Sequence, residues 1–311
     1  MSTEHVDVLI VGAGISGVGA AYRLRERCPD KTFAILEGRG AIGGTWDLFR
    51  FPGIRSDSDM FTLCYQFRAW TGSQLIVVGT SIREYVQATA RQYGIDQGIR
   101  FNCRVTRAEW SSSDARWTVD VERCDTGEAD QMTCGFLFTC TGYYRYDEGY
   151  TPEFPGIERF GGRVVHPQFW TDDVDHAGKQ VVVIGSGATA VTVVPALAER
   201  AAHVTMLQRS PSYVFPFPAA DPLVGLLGRV LPSRLAPIAQ LHGRARIRPL
   251  HTAQGAWRRW VDTFPRAVCG LCAARSRPVP ETRVGRSVVQ AAELLPRPKV
   301  GDGRTSRRFR S

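Results

Sequence analysis

Aliphatic residues gather in two short runs along this chain, at 8–11 and 181–184, and each run breaks on a glycine turn. A continuous apolar run of that length reads as a buried parallel strand. A segment of helical periodicity follows each turn, and then a second apolar run, so the pattern predicts one βαβ unit over 5–37 and another over 179–209. Residues 47–60 are polar and turn-rich around Pro52 and Gly53, and a helix is expected to start after Ser58. A further helix is predicted over 81–93, with Ser81 as its N-cap. Two or three antiparallel strands are expected around 99–122, with Val105, Trp110, Trp117 and Val119 as core positions. A buried strand should then run from Phe136 to a turn at Gly142, and the chain crosses to the second unit over 143–155.

The two glycine turns carry the chemistry. The first places Gly12, Gly14 and Gly17 in GxGxxG spacing, with Ser16 inside it and Glu37 twenty residues beyond Gly17. The second places Gly185, Ser186, Gly187, Ala188, Thr189 and Ala190 in the same frame, with Gln208 and Arg209 at a similar distance. The first glycine makes the turn, the second lets backbone approach a pyrophosphate, and the third position allows close helix–strand packing. The helix N-terminus then offers free N–H groups and partial positive charge to phosphates. A lone copy of this string is often only a tight turn. Two copies, each between strand and helix and each followed by a ribose-choosing residue, point to two dinucleotide sites. Glu37 suits a free ribose 2′-hydroxyl and repels a 2′-phosphate. Arg209 can pair with a 2′-phosphate. The reading is FAD at the first site and NADPH at the second, on an α/β fold with two Rossmann-like dinucleotide-binding domains.

Composition narrows this further. The hydrophobic fraction of 43% fits a globular chain. No apolar run reaches the roughly 18 residues that span a membrane, and Glu4 and Asp7 precede the first run where a signal peptide would be basic. A cytoplasmic location with no integral membrane segment is expected. Eight cysteines have irregular spacing with no zinc-like cluster, so no metal is expected. Cys269 and Cys272 form a CxxC, but it follows the second fingerprint by about eighty residues. The charge is uneven. Residues 244–311 hold sixteen Arg+Lys against four Asp+Glu, and the first 243 residues hold 23 against 26. The basic segment lacks the aromatic interleaving and the fold of a nucleic-acid-binding arm, so no nucleic-acid partner is expected. Its hydrophobic periodicity fades, and it reads as a poorly ordered tail.

Between the fingerprints, residues 160–170 place Phe160, Gly162, His166 and Trp170 in FxGxxxHxxxW spacing. This string resembles the signature of Baeyer–Villiger monooxygenases, and a related form occurs in flavin-containing monooxygenases. Residues 43–47 and 52–59 are similar to the same family, and the resemblance runs over about 4–235. It implies domains at 1–145 (FAD-binding) and 146–243 (NADP-binding), the signature acting as a linker, and 244–311 as a divergent tail. It implies oxygenation of a ketone, or of a sulfur-containing substrate, by O₂ through a C4a-peroxyflavin, with NADPH as reductant. The positions it assigns to FAD are Ser16, Glu37, Thr45, Trp46, Asp47, Leu48, Asp57 and Val105. Arg55, Ser56 and Asp57 would line the face where nicotinamide meets flavin, and Gln208 and Arg209 would hold NADP. Asp57 would tune the site electrostatically beside a catalytic arginine, and His166 would couple the domains rather than act as a base.

Family members are roughly 500 residues long, and neither the catalytic arginine nor a closing strand for the FAD domain is found after residue 240. The expectation is a truncated or frameshifted chain of impaired activity. Two other functions stay open: an inactive nucleotide-binding remnant, and a flavin disulfide or ferredoxin-type reductase using the CxxC. Substrate identity and oligomeric state are not readable.

Overall fold

A computed structural model describes residues 3–209, 219–220 and 287–290. The first unit begins with β1 (Glu4–Val11), α1 (Ile15–Arg27) and β2 (Phe33–Leu36), and the two strands pair in parallel with Val8 opposite Phe33. Two short helices follow, α2 (Thr45–Leu48) and α3 (Met60–Leu63), and then a longer one, α4 (Gly79–Gln92). The Asp59 carboxylate caps α3 by accepting the Thr62 N–H at 2.8 Å. The start of α4 differs from the expected Ser81 cap. Its N-cap is Val78, because the Gly79 N–H donates to the Ile54 carbonyl at 2.9 Å and Val78 bridges Arg55. A tertiary backbone tie thus sets the boundary in place of a side-chain cap.

Strands β3 (Ile99–Arg100), β4 (Cys103–Ser111), β5 (Arg116–Arg123) and β6 (Ala129–Thr139) complete the first sheet. Its order is β3-β2-β1-β6-β5-β4. From Met132 onward β6 pairs in parallel with β1, while its first half pairs antiparallel with β5. Neighbouring residues in β1 and β2 point to opposite faces. Ile10 and Ile35 enter the core made with α1 and α4, where Val18, Ala21, Ile82 and Val86 are buried. Leu9 and Leu36 enter a second core with Val119, Val121, Met132 and Cys134.

The second unit holds β7 (Arg163–Val165), β8 (Gln180–Ile184), α5 (Ala188–Ala198) and β9 (His203–Leu207). Its sheet is parallel throughout, with β10 (Ser287–Gln290) lying between β7 and β8. That strand arises in the tail, where fading periodicity predicts none. The rest of 244–311 lies outside the described residues, Cys269 and Cys272 included.

Two burial expectations are corrected. Trp110 is 44% exposed and lies opposite Trp117 on the sheet's edge strand. Phe136 and Phe138 are 56% and 43% exposed, because they lie beyond Cys134, where the β5 ladder ends. Val119 is fully buried, and Val105 and Trp117 pack against the second core. No helix among the described residues is long and apolar enough to cross a membrane.

A third core crosses the expected boundary between the units. Phe49 and Phe51, from the first 145 residues, bury themselves with Val181, Val183, Ala190, Val193 and Leu197 of the second unit. Gly53 makes this approach possible: its φ is +76°, and a Cβ there would lie 2.8 Å from Ala196 Cβ and 2.9 Å from the Thr192 carbonyl oxygen. Gly53→Ala is therefore expected to lower stability by about 1–3 kcal/mol through overpacking and left-handed backbone strain. Chemical denaturation would measure this, and an unchanged midpoint would show that the turn does not press on α5.

Candidate functional site

The first cleft is built by backbone before any side chain contributes. Gly12 has φ +105°, and a Cβ on it would lie 2.5 Å from the Cys140 carbonyl oxygen. A Cβ on Gly17 would lie 1.8 Å from the Gly12 carbonyl oxygen, so that glycine is a helix–turn packing residue. Gly14 is the N-cap of α1, which has no side-chain cap and no acidic residue in its first turn. Its first-turn N–H groups therefore face the cleft with no side-chain acceptor, the condition under which a helix start takes a phosphate.

Glu37 follows β2 directly and is 5% exposed. Its Oε2 accepts the Ala13 N–H at 2.7 Å, and its Oε1 accepts the Arg39 N–H at 3.0 Å. A carboxylate has about four acceptor positions, so two bonds to the turn leave capacity for ligand hydroxyls. A cavity of about 390 Å³ opens here. Of the expected residues, Gly12, Gly14, Ser16, Glu37, Thr45, Trp46 and Val105 line it.

Other expected residues stand outside that lining. Asp47 is buried beneath it as an ion-pair centre, 2.7 Å from Arg39, 3.1 Å from Arg50 and 3.5 Å from Arg83. Leu48 packs on the third core. Arg55 is exposed, and Asp57 is exposed in the same turn. Ser56 is buried, its hydroxyl donating to the Ser58 carbonyl at 2.6 Å. His166 sits in the linker, where its Nδ1 accepts the Gln168 N–H at 3.2 Å. The same ring covers Gly149, where a Cβ would lie 2.5 Å from it.

The lining also includes Arg39, Arg104 and residues 144–147, which pattern reading did not mark. Arg39 carries a signal in its position two residues after Glu37. Residues 144–147 lie in a crossover segment without periodicity, so nothing local marks them.

The second glycine turn repeats the backbone logic. Gly185 has φ +133°, and its N–H donates to the Leu207 carbonyl at 2.9 Å. Gly187 caps α5, again with no side-chain cap and no acid in the first turn. Ser186 lies in the turn, Ala188 and Thr189 open the helix, and Ala190 is fully buried at the third fingerprint position. Gln208 and Arg209 follow β9 and are both exposed.

Residues 10–75 match a family model described as an NAD(P)-binding Rossmann-like domain. Residues 74–219 match one described as flavin-binding monooxygenase-like. The monooxygenase-like match by itself runs over just under half of the chain. The chain belongs to the flavin-binding monooxygenase family. It is 58% identical over 235 residues to the FAD-containing monooxygenase EthA of Mycobacterium tuberculosis, covering 75% of this chain and 48% of that one. It is 54% identical over 267 residues to the putative FAD-containing monooxygenase MymA of the same organism, covering 85% and 54%. Among solved structures, an oxidized steroid monooxygenase bound to NADP superposes with a TM-score of 0.62 at 32% identity, covering 72% of this chain and 42% of that one. The chain thus spans about half the length of the curated relatives it matches.

Burial holds the His166 imidazole below its ordinary value of 6.5, with a backbone hydrogen bond at Tyr150 opposing the shift. The unfolded chain therefore takes up a proton at this position before the folded chain does. The stability this group contributes is complete above pH 6.5 and is lost as the pH falls through and below that value. His166→Gln should flatten this part of the acid dependence. Denaturation midpoints at about pH 7.5 and about pH 5 measure it, and a variant keeping the full wild-type pH slope would assign that slope to other groups.

Proposed function

We propose that this chain binds FAD in the first cleft and NADPH at the second glycine turn, as the nucleotide-binding portion of a monooxygenase. One observation carries this reading. The fold brings an uncapped helix N-terminus, a buried carboxylate and residues 45–46 to the wall of one cavity. The uncapped turn suits a pyrophosphate, and Glu37 suits ribose hydroxyls, so the residues present fit the cofactor. When bound, FAD supplies acceptance of a hydride from NADPH and activation of O₂.

The chain's own part is binding, orientation and exclusion of water. Gly12, Gly14 and Gly17 hold backbone close to the phosphates, and Glu37 keeps a negative charge where only a free 2′-hydroxyl is tolerated. Asp47 fixes the 43–48 loop through its three arginines, so Thr45 and Trp46 keep their place at the cleft. Gly185–Ala190 and Arg209 take the second nucleotide, with Arg209 facing its 2′-phosphate. Arg55, Ser56 and Asp57 form the turn we assign to the meeting of nicotinamide and flavin, where Asp57 contributes charge. His166 holds the linker. The substrate class we infer is a ketone or a sulfur compound, oxygenated with O₂ by the whole protein.

Purified protein is expected to retain FAD and to consume NADPH only weakly, in an oxygen-dependent way. FAD retention without any NADPH consumption would reduce the chain to a nucleotide-binding unit, and loss of both would overturn the assignment. Arg209→Ala should weaken NADPH binding about 10–100-fold, the range expected for a lost hydrogen bond to a charged group. NADH binding should stay unchanged. Equal loss for both nucleotides would remove Arg209 from 2′-phosphate recognition.

A further inference from the structure

Gln168 lies inside the signature stretch, at a position the FxGxxxHxxxW pattern leaves free, and it is 8% exposed. Pro167 opens a short 3-10 turn (Pro167–Phe169), and the His166 ring accepts the Gln168 N–H. Backbone geometry therefore aims the side chain. Its Nε2 donates to two successive carbonyls, Arg145 at 2.6 Å and Tyr146 at 3.2 Å. A primary amide has two N–H donors, and both are engaged.

Those carbonyls belong to residues 144–147, and all four residues line the first cleft. The segment has other ties. The Arg39 guanidinium stands 5.7 Å over the Tyr146 ring, and a Cβ on Gly44 would lie 3.4 Å from the Tyr146 hydroxyl. Arg104 pairs with Asp147, but both side chains are more than half exposed, so water screens that pair heavily. The Gln168 bonds are partly buried, where losing a donor leaves carbonyls unsatisfied.

We propose that Gln168 is a positioning residue for the cofactor in the first cleft. It ties the signature turn to the wall formed by residues 144–147, setting Tyr146 against Arg39 beside the ribose carboxylate Glu37. This rests on the assignment of FAD to that cleft. The sequence signature is thereby connected to the flavin side of the molecule through a side chain that the signature itself does not specify.

The test compares wild type, Gln168→Glu and Gln168→Lys by FAD titration of deflavinated protein and by amide hydrogen exchange of residues 143–148. Glutamate keeps the shape and, when ionised, has no donor, whereas lysine restores donors with a different shape. Gln168→Glu should weaken FAD binding by roughly 5–150-fold, the range two lost neutral hydrogen bonds represent, and should speed exchange in 143–148. Gln168→Lys should recover most of both. Unchanged FAD affinity in Gln168→Glu would overturn the positioning role. So would equal losses in both variants that track a lowered overall denaturation midpoint, since that pattern marks general destabilisation. If wild type itself does not bind FAD, the cofactor assignment fails and the positioning role falls with it. Wild-type binding with an unaffected glutamate variant rejects the positioning role alone.

Discussion

Glu37 leaves the end of β2 with its charge buried, and the chain meets that charge with backbone N–H groups. An ionised carboxylate without partners in such a place is very costly. The bonds from Ala13 and Arg39 offset the cost and tie the end of one strand to the turn after another. Much of the first cleft follows from that arrangement. The turn can close this tightly only because Gly12 meets Cys140 and Gly17 meets Gly12 at distances no side chain permits. The same carboxylate holds the turn and keeps acceptor positions toward the cleft.

The two nucleotide units are not joined by their linker alone. Residues 43–54 pack in two directions at once. Trp46 lies against the core of the first unit, while Phe49, Phe51 and Gly53 lie in or against the core of the second. Asp47, between them, pairs with Arg39, Arg50 and Arg83. Removing Asp47 would leave three arginines without their shared carboxylate. The loop that carries Thr45 to the first cleft is therefore fixed partly by the second unit. Gln168 adds a second connection of the same sense, running from the linker back to residues 144–147.

Much of this was readable along the chain because it is local. Both βαβ units, the antiparallel pair β4–β5 and the glycine roles follow from strand runs and turns only a few residues long, whereas β3 pairs in parallel and β6 begins before the strand expected from Phe136. Six of the seven cavity residues named from the resemblance and the fingerprint also lie in or near their motifs, Val105 on β4 being the exception. Other features could not be read this way. The Ser81 cap fails because a carbonyl twenty-five residues earlier, at Ile54, takes the Gly79 N–H. Trp110 looks like a core residue until the sheet order puts β4 at the edge. Phe136 and Phe138 read as buried until the β5 ladder stops at Cys134.

By itself the sequence determined the two glycine turns, the strands and helices around them, and the opposite charges of Glu37 and Arg209. These depend on glycine stereochemistry, on the spacing of apolar residues and on side-chain charge, all of which act over short distances. The tertiary structure alone decided that Phe49 and Phe51 belong to the second core, and that Asp47 supports the cleft without lining it. It also decided that residues 144–147 form part of the cleft wall and that Gln168 holds them. These are meetings of segments far apart in the chain, set by sheet order and packing, and no local pattern encodes them.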